Sequence, residues 1–206
     1  MASLEDKLQY NFVQAREFLI SSLNLSYEDA QRLIKTNLEF IVDKTMEDHA
    51  RLEFSNNGQY ALRFRPEAVD DMAAVGEESG HFARIILNDT ARNNIFNAKK
   101  KSGRFIELIG LEEYFGRYAA LAYLNYLGIT KYNQLWSRFE NNNITLLTSK
   151  PEDALSHYLG YTMAEKNYKV YGIQGLRDSI YNNDSSILKA NSRKQMPKIV
   201  AIPLAA

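Results

Sequence analysis

Cysteine is absent from the 206 residues, which excludes disulfides, thiolate metal sites and cysteine nucleophiles. That absence fits a cytoplasmic protein. An excess of charge of either sign is also missing, since 25 Lys and Arg balance 25 Asp and Glu. A neutral chain exerts no general attraction on nucleic acid or an anionic membrane. The N-terminus carries Glu5, Asp6 and Lys7 and lacks a long apolar run, so neither a signal peptide nor a membrane span is expected. There is no G-x-S-x-G elbow of the kind that presents a nucleophilic serine. Gly172-Ile173-Gln174-Gly175 is too short for a nucleotide loop, and no Walker or Rossmann signature accompanies it. With no internal repeat and no clear linker, the sequence reads as a single domain over residues 1–182. A polar, then basic, then apolar tail follows over 183–206, expected to be loosely ordered or docked on a partner.

What is present is enough apolar mass for a sizeable core. Hydrophobic residues make up 45% of the chain, with 13 Tyr and 10 Phe among its aromatics. Leu4, Leu8, Phe12, Ala15 and Leu19 recur at helical intervals behind Ser3 and Asp6, whose spacing is that of a capping box, so a helix is predicted over 4–23. Ser26 heads a second predicted helix over 27–44, with Ala30, Leu33, Ile34, Leu38, Ile41 and Val42 on its apolar face. The period then changes. Arg51–Phe54 and Tyr60–Phe64 alternate on either side of Ser55-Asn56-Asn57-Gly58-Gln59, and Asn-Gly between alternating runs predicts a β-hairpin. Pro66 suits the first turn of a third helix over 67–89.

Downstream, Lys99-Lys100-Lys101-Ser102-Gly103-Arg104 reads as an exposed basic loop. A fourth helix is predicted over 105–127 with Gly128 as its stop, and a fifth over Thr130–Phe139. Asn141–Asn143 reads as a turn. Ser149-Lys150-Pro151-Glu152 then marks a helix start, and a short helix is predicted over Ile173–Ile180. The fold class is therefore an α-rich α+β domain, helical with a small hairpin before the third helix.

The chemistry concentrates on that third helix. Glu77-Glu78-Ser79-Gly80-His81 has the spacing of H-E-x-x-H, in which two metal ligands sit four residues apart on one helix face with a general base between them. Glu77 takes the first ligand position, Glu78 the base and His81 the second ligand. Val69, Ala73, Gly76, Gly80, Ala83 and Leu87 form a seam with a small-residue centre, so another element is expected to approach closely.

Gly80-His81-Phe82 resembles the end of the H-E-x-G-H-F motif of the ImmA/IrrE-type metallopeptidases. Leu111–Ala120 is similar to that family's second motif, with Glu112 at the ligand position and Tyr118-Ala119-Ala120 as its aromatic-Ala-Ala run. The order of elements also agrees, and the similar segments span about residues 50 to 125. The resemblance implies a zincin-like fold, a metal held by Glu77, His81 and Glu112, and a water polarised by zinc and deprotonated by Glu78. Three positions depart from the family pattern. Glu77 replaces the first His, Phe115 stands where a small residue is usual, and Gly116 stands where Asn or Asp is usual. Two carboxylates with one imidazole suit zinc, and also manganese or iron.

Two functions follow as rivals. One is a metal-dependent protein hydrolase, or its catalytically lapsed descendant. The other is a non-enzymatic helical module for protein–protein interaction. A third and weaker reading is a nucleic-acid-associated regulator using the loop 99–104. Asp153 and His157 share a helix face by spacing. A lone histidine there is most simply structural, with completion of a metal site across the fold as the alternative.

Overall fold

The computed structural model describes residues 2–54, 58–98, 105–129 and 151–181. The helix over Thr130–Phe139, the turn at Asn141–Asn143, the basic loop 99–104 and the tail 183–206 lie outside the described residues. The described elements run α1 (Leu4–Ser22), α2 (Tyr27–Lys35), β1 (Leu38–Val42), β2 (Ala50–Phe54), β3 (Tyr60–Phe64), a single 3-10 turn at Pro66–Ala68, α3 (Met72–Leu87), α4 (Asp89–Ala98), α5 (Phe105–Tyr126) and α6 (Pro151–Ser179). The architecture is α-rich α+β, with a small sheet ahead of α3. No helix among the described residues is long and apolar enough to cross a membrane.

α1 starts on the expected capping box. The Ser3 hydroxyl accepts from the Asp6 amide, and the Asp6 carboxylate accepts from the Ser3 amide. Leu8, Phe12, Ala15, Phe18 and Leu19 turn inward at spacings of three and four. α2 departs from expectation. It ends at Lys35, and Leu38–Val42 is a strand rather than its last turns. Leu38 and Ile41 fit a helical spacing, but Ile41-Val42 is a β-branched pair and the segment finds a strand partner in β3. That tertiary pairing decides the outcome.

The predicted hairpin forms, with Ala50 opposite Phe64 and Phe54 opposite Tyr60. Gly58 has a φ of 77°, the left-handed conformation its lack of a β-carbon allows. The sheet order is β1-β3-β2, with β1 parallel and β2 antiparallel to β3. β3 is thus central and buries Tyr60, Leu62 and Phe64 on its inner face. β2 is an edge strand, and its flank lies against α3.

The third helix begins later than Pro66 alone predicts. Pro66 opens only the 3-10 turn, and α3 proper is capped by Asp71, whose Oδ1 accepts from the Ala73 and Ala74 amides at 3.1 and 3.3 Å. Burial pushes the Asp71 carboxyl up. The His49 hydrogen bond at 3.1 Å and the helix amides outweigh it and hold the carboxyl below its ordinary value. A depressed carboxyl stabilises the fold above its unfolded-state pKa and loses that contribution as pH falls through the folded value. Asp71→Ala is therefore expected to cost about 1 kcal/mol at neutral pH. The gap to the parent should close in acid, as read by denaturant titration at a series of pH values.

α3 leads into α4, which the polar sequence did not announce. Asn88 breaks the helix at φ −124° and caps the next one, its Oδ1 accepting from the Ala91 amide at 3.0 Å. α5 stops as expected at Gly128, with a φ of 72°. The predicted short helix over 173–180 forms as the second part of α6, set off from the first by a non-helical break at Gly172, where φ is 51° and ψ −145°. The bend is tied down by Tyr118 on α5, whose hydroxyl donates to the Gly172 carbonyl at 2.7 Å. Beyond the bend, Arg177 donates to the Ser22 and Leu23 carbonyls, each at 3.1 Å, and so fastens α6 to the end of α1. α3 lies against the sheet and α1 on one side and α5 on the other, and α5 in turn carries α6.

Candidate metal centre

Three helices build the centre, and glycines let them approach closely enough to do so. A β-carbon on Gly76 of α3 would fall 3.0 Å from the Ala120 Cα of α5, and one on Gly80 would fall 3.2 Å from the Phe115 carbonyl oxygen. One on Gly160 of α6 would fall 2.7 Å from the Glu113 Cβ. The small-residue seam on α3 therefore packs against Gly116, Ala119 and Ala120. The polar residues beside the seam meet across the contact.

Each helix presents residues four apart, which share one face. α3 brings Glu77 and His81, α5 brings Glu113 and Arg117, and α6 brings His157, Tyr161 and Glu165. Ligand atoms of Glu77, His81 and Glu113 all lie within 4.8 Å of one another. Atoms bound to one ion by ~2.1 Å bonds are at most ~4.2 Å apart, so slight side-chain rotation brings all three onto a common ion. The cluster can hold a metal ion.

The third ligand position predicted from the sequence was Glu112, and the structure places Glu113 there instead. Glu112 faces the other side of the seam. Its Oε1 accepts from Arg84 Nε at 2.8 Å, and the Arg84 side chain is wholly buried. Arg84 also donates to the Ile180 carbonyl at 2.9 Å and lies 3.8 Å over the Phe115 ring. Burial raises the Glu112 carboxyl, and the guanidinium offsets part of that rise. A buried arginine needs a carboxylate, and Glu112 serves it.

Gly116, a departure from the family pattern, has a local reason here. A β-carbon at that position would fall 2.6 Å from Cε1 and 2.9 Å from Cδ2 of the His81 imidazole. Only glycine leaves room for the ring. Burial pushes His81 down to about 4, helped by the nearby charges of His157 and Arg84. The imidazole is therefore neutral at physiological pH, with a lone pair free for coordination.

Glu77, another of the three departures, is served by groups on both neighbouring helices. Tyr161 donates a hydrogen bond to its Oε1. A carboxylate has two oxygens, so this bond still leaves one for an ion. Burial raises the Glu77 carboxyl, opposed first by Arg117, then by Tyr161 and His157. Arg117 is anchored on Glu165 at 3.1 Å and sits 4.9 Å from the centre of the Tyr161 ring.

Glu78 lies next to the cluster, facing β2. It is buried and raised well above the ordinary carboxylate range, first by burial and then by repulsion from Glu77 and Glu113. The Leu52 amide of β2 donates a hydrogen bond to it. No protein-family model, curated protein or solved structure matches this chain. Three carboxylates crowd into one partly dry space beside a neutral imidazole. A divalent cation is the group that this donor set fits and that relieves the repulsion.

Sequence reasoning reached Glu77, Glu78 and His81 and missed Glu113, Arg117, Tyr161 and Glu165. One signal was available. Arg84 lies on the buried seam three residues after His81 and had to claim one of the two adjacent glutamates. The side chain of Asp153 lies outside what the structure describes, so its pairing with His157 does not enter.

Proposed function

We propose that the protein is a metal-dependent hydrolase of peptide bonds in an extended protein segment. Glu77, His81 and Glu113 hold the ion, and Glu78 acts as general base. Zinc fits the set, and the two carboxylates also suit manganese or iron. When bound, such an ion supplies Lewis-acid polarisation of the scissile carbonyl and of the attacking water. The convergence of Glu77, His81 and Glu113, with Glu78 at its edge, carries this reading.

The chain's own residues supply the remaining parts. Glu78, whose burial raises its proton affinity, takes the proton of the water and passes it to the leaving amine. The Leu52 amide holds its carboxylate in place. β2 offers an edge to which an extended substrate backbone can pair, and that edge runs past Glu78. The neutral His81 and the Tyr161-bound Glu77 keep their ligand atoms within 4.8 Å of each other and of that of Glu113.

The test is hydrolysis of a fluorescently labelled unfolded protein by the metal-loaded chain. Glu78→Gln should keep the metal and lose about 100-fold or more in rate. Equal rates for parent and variant would overturn the assignment of Glu78.

The second reading is a non-enzymatic protein-binding module, and one observation favours it. Val170, Tyr171 and Ile173 are exposed around the α6 bend at 67%, 61% and 37%. A metal-loaded parent without hydrolytic activity would move the balance to that reading.

A further inference from the structure

α6 has no part in the two sequence motifs, yet it forms one wall of the cluster. His157 Nε2 lies 3.4 Å from Glu113 Oε1. Tetrahedral bonds of ~2.1 Å put neighbouring ligand atoms ~3.4 Å apart. The imidazole therefore stands at ligand spacing from a residue of the cluster. Glu77, His81 and Glu113 group within 4.8 Å of one another, and His157 joins them from the α6 side through Glu113.

The ring is also held in place. His157 packs edge-on to Tyr161, one turn later, with centroids 5.9 Å apart. Tyr161 is fixed by its bond to Glu77 and by the Arg117 guanidinium over its ring, and Arg117 is fixed by Glu165. Gly160, against the Glu113 backbone, sets the distance between α6 and α5 at this level.

We propose that His157 is a fourth protein ligand, carried by α6 to the ion held by Glu77, His81 and Glu113. The inference rests on the metal reading of the cluster. It gives a donor set of two imidazoles and two carboxylates. With zinc these four would complete a tetrahedral shell, and a substrate carbonyl would enter by release of His157 or by expansion to five-coordination. With a six-coordinate ion such as manganese or iron(II), two positions stay open while His157 remains bound.

The chain has three histidines, so counting imidazoles on the bound metal is a clear readout. The experiment is X-ray absorption spectroscopy on the full chain loaded with one equivalent of zinc, paired with competition measurements of zinc affinity. It compares the parent, His157→Gln and His157→Ala. His157 is 31% exposed, so both variants should fold, which circular dichroism checks. Two imidazoles in the parent, one in each variant, and affinity lower by about 100-fold in the variants are expected. One imidazole in parent and variants alike would overturn the proposal while leaving the three-residue site intact. No stoichiometric zinc in the parent would overturn the metal reading, and this inference with it.

Discussion

Glu112→Ala should lower the stability of the fold by about 3–5 kcal/mol, the cost of leaving a buried guanidinium without its carboxylate. Arg84 is fully buried between Glu112, the Ile180 carbonyl and the Phe115 ring. Its side chain is fully buried, so removing Glu112 leaves the charge without its partner, and its burial already lowers its own proton affinity. Glu112→Gln keeps an oxygen to accept from Arg84 Nε and should cost distinctly less. Urea unfolding followed by circular dichroism reads both. A loss under about 1 kcal/mol for the alanine variant would mean that the pair is solvated rather than buried. The comparison separates Glu112 from its neighbour. Glu113 sits at the cluster with its carboxylate partly exposed, so replacing it should affect metal binding far more than stability.

The second large effect belongs to Gly116. Any β-carbon there overlaps the His81 imidazole. Gly116→Ala must push the ring off its position or force α3 and α5 apart, at an expected cost of about 1–3 kcal/mol. The larger consequence is for the centre. A displaced His81 no longer shares a point with Glu77 and Glu113, so metal affinity should fall by roughly 100-fold, the upper end of what misaligned ligands cost. Competition against a chromophoric chelator measures this directly. An unchanged affinity in Gly116→Ala would show that His81 is not a ligand.

Much of the fold was legible because its signals are local. The Ser3 and Asp6 capping box, the paired strands on either side of the Asn-Gly signal and Gly128 each act within a few residues, and the structure has the cap, the strand pair and the stop. Leu38–Val42 was not legible. Its apolar spacing fits a helix, and the strand partner that decides the matter lies more than twenty residues away in β3. Asn88 illustrates the same limit. A residue that ends one helix and caps the next reads, in sequence, as the tail of a single helix.

The centre divides in the same way. Glu77, Glu78 and His81 are one motif on one helix, so spacing alone gathers them. Choosing between Glu112 and Glu113 requires knowing which side of the α3–α5 seam each faces, and the two are adjacent in sequence. Arg84 settles that choice by taking Glu112 as its partner. Tyr161 and His157 come from a helix with no recognisable motif, and only packing at Gly160 brings them to the cluster. Gly116 appeared as a departure from the family pattern because its role depends on a side chain 35 positions earlier in the chain.

The central claim is that Glu77, His81 and Glu113 form one metal centre. Isothermal titration of metal-free protein with zinc, and in parallel with manganese, tests it most directly when parent and Glu113→Gln are compared. One equivalent bound by the parent, with binding weakened by about 100-fold or more in the variant and the fold unchanged, is the expected result. No stoichiometric binding by the parent, or equal binding by parent and variant, would contradict it.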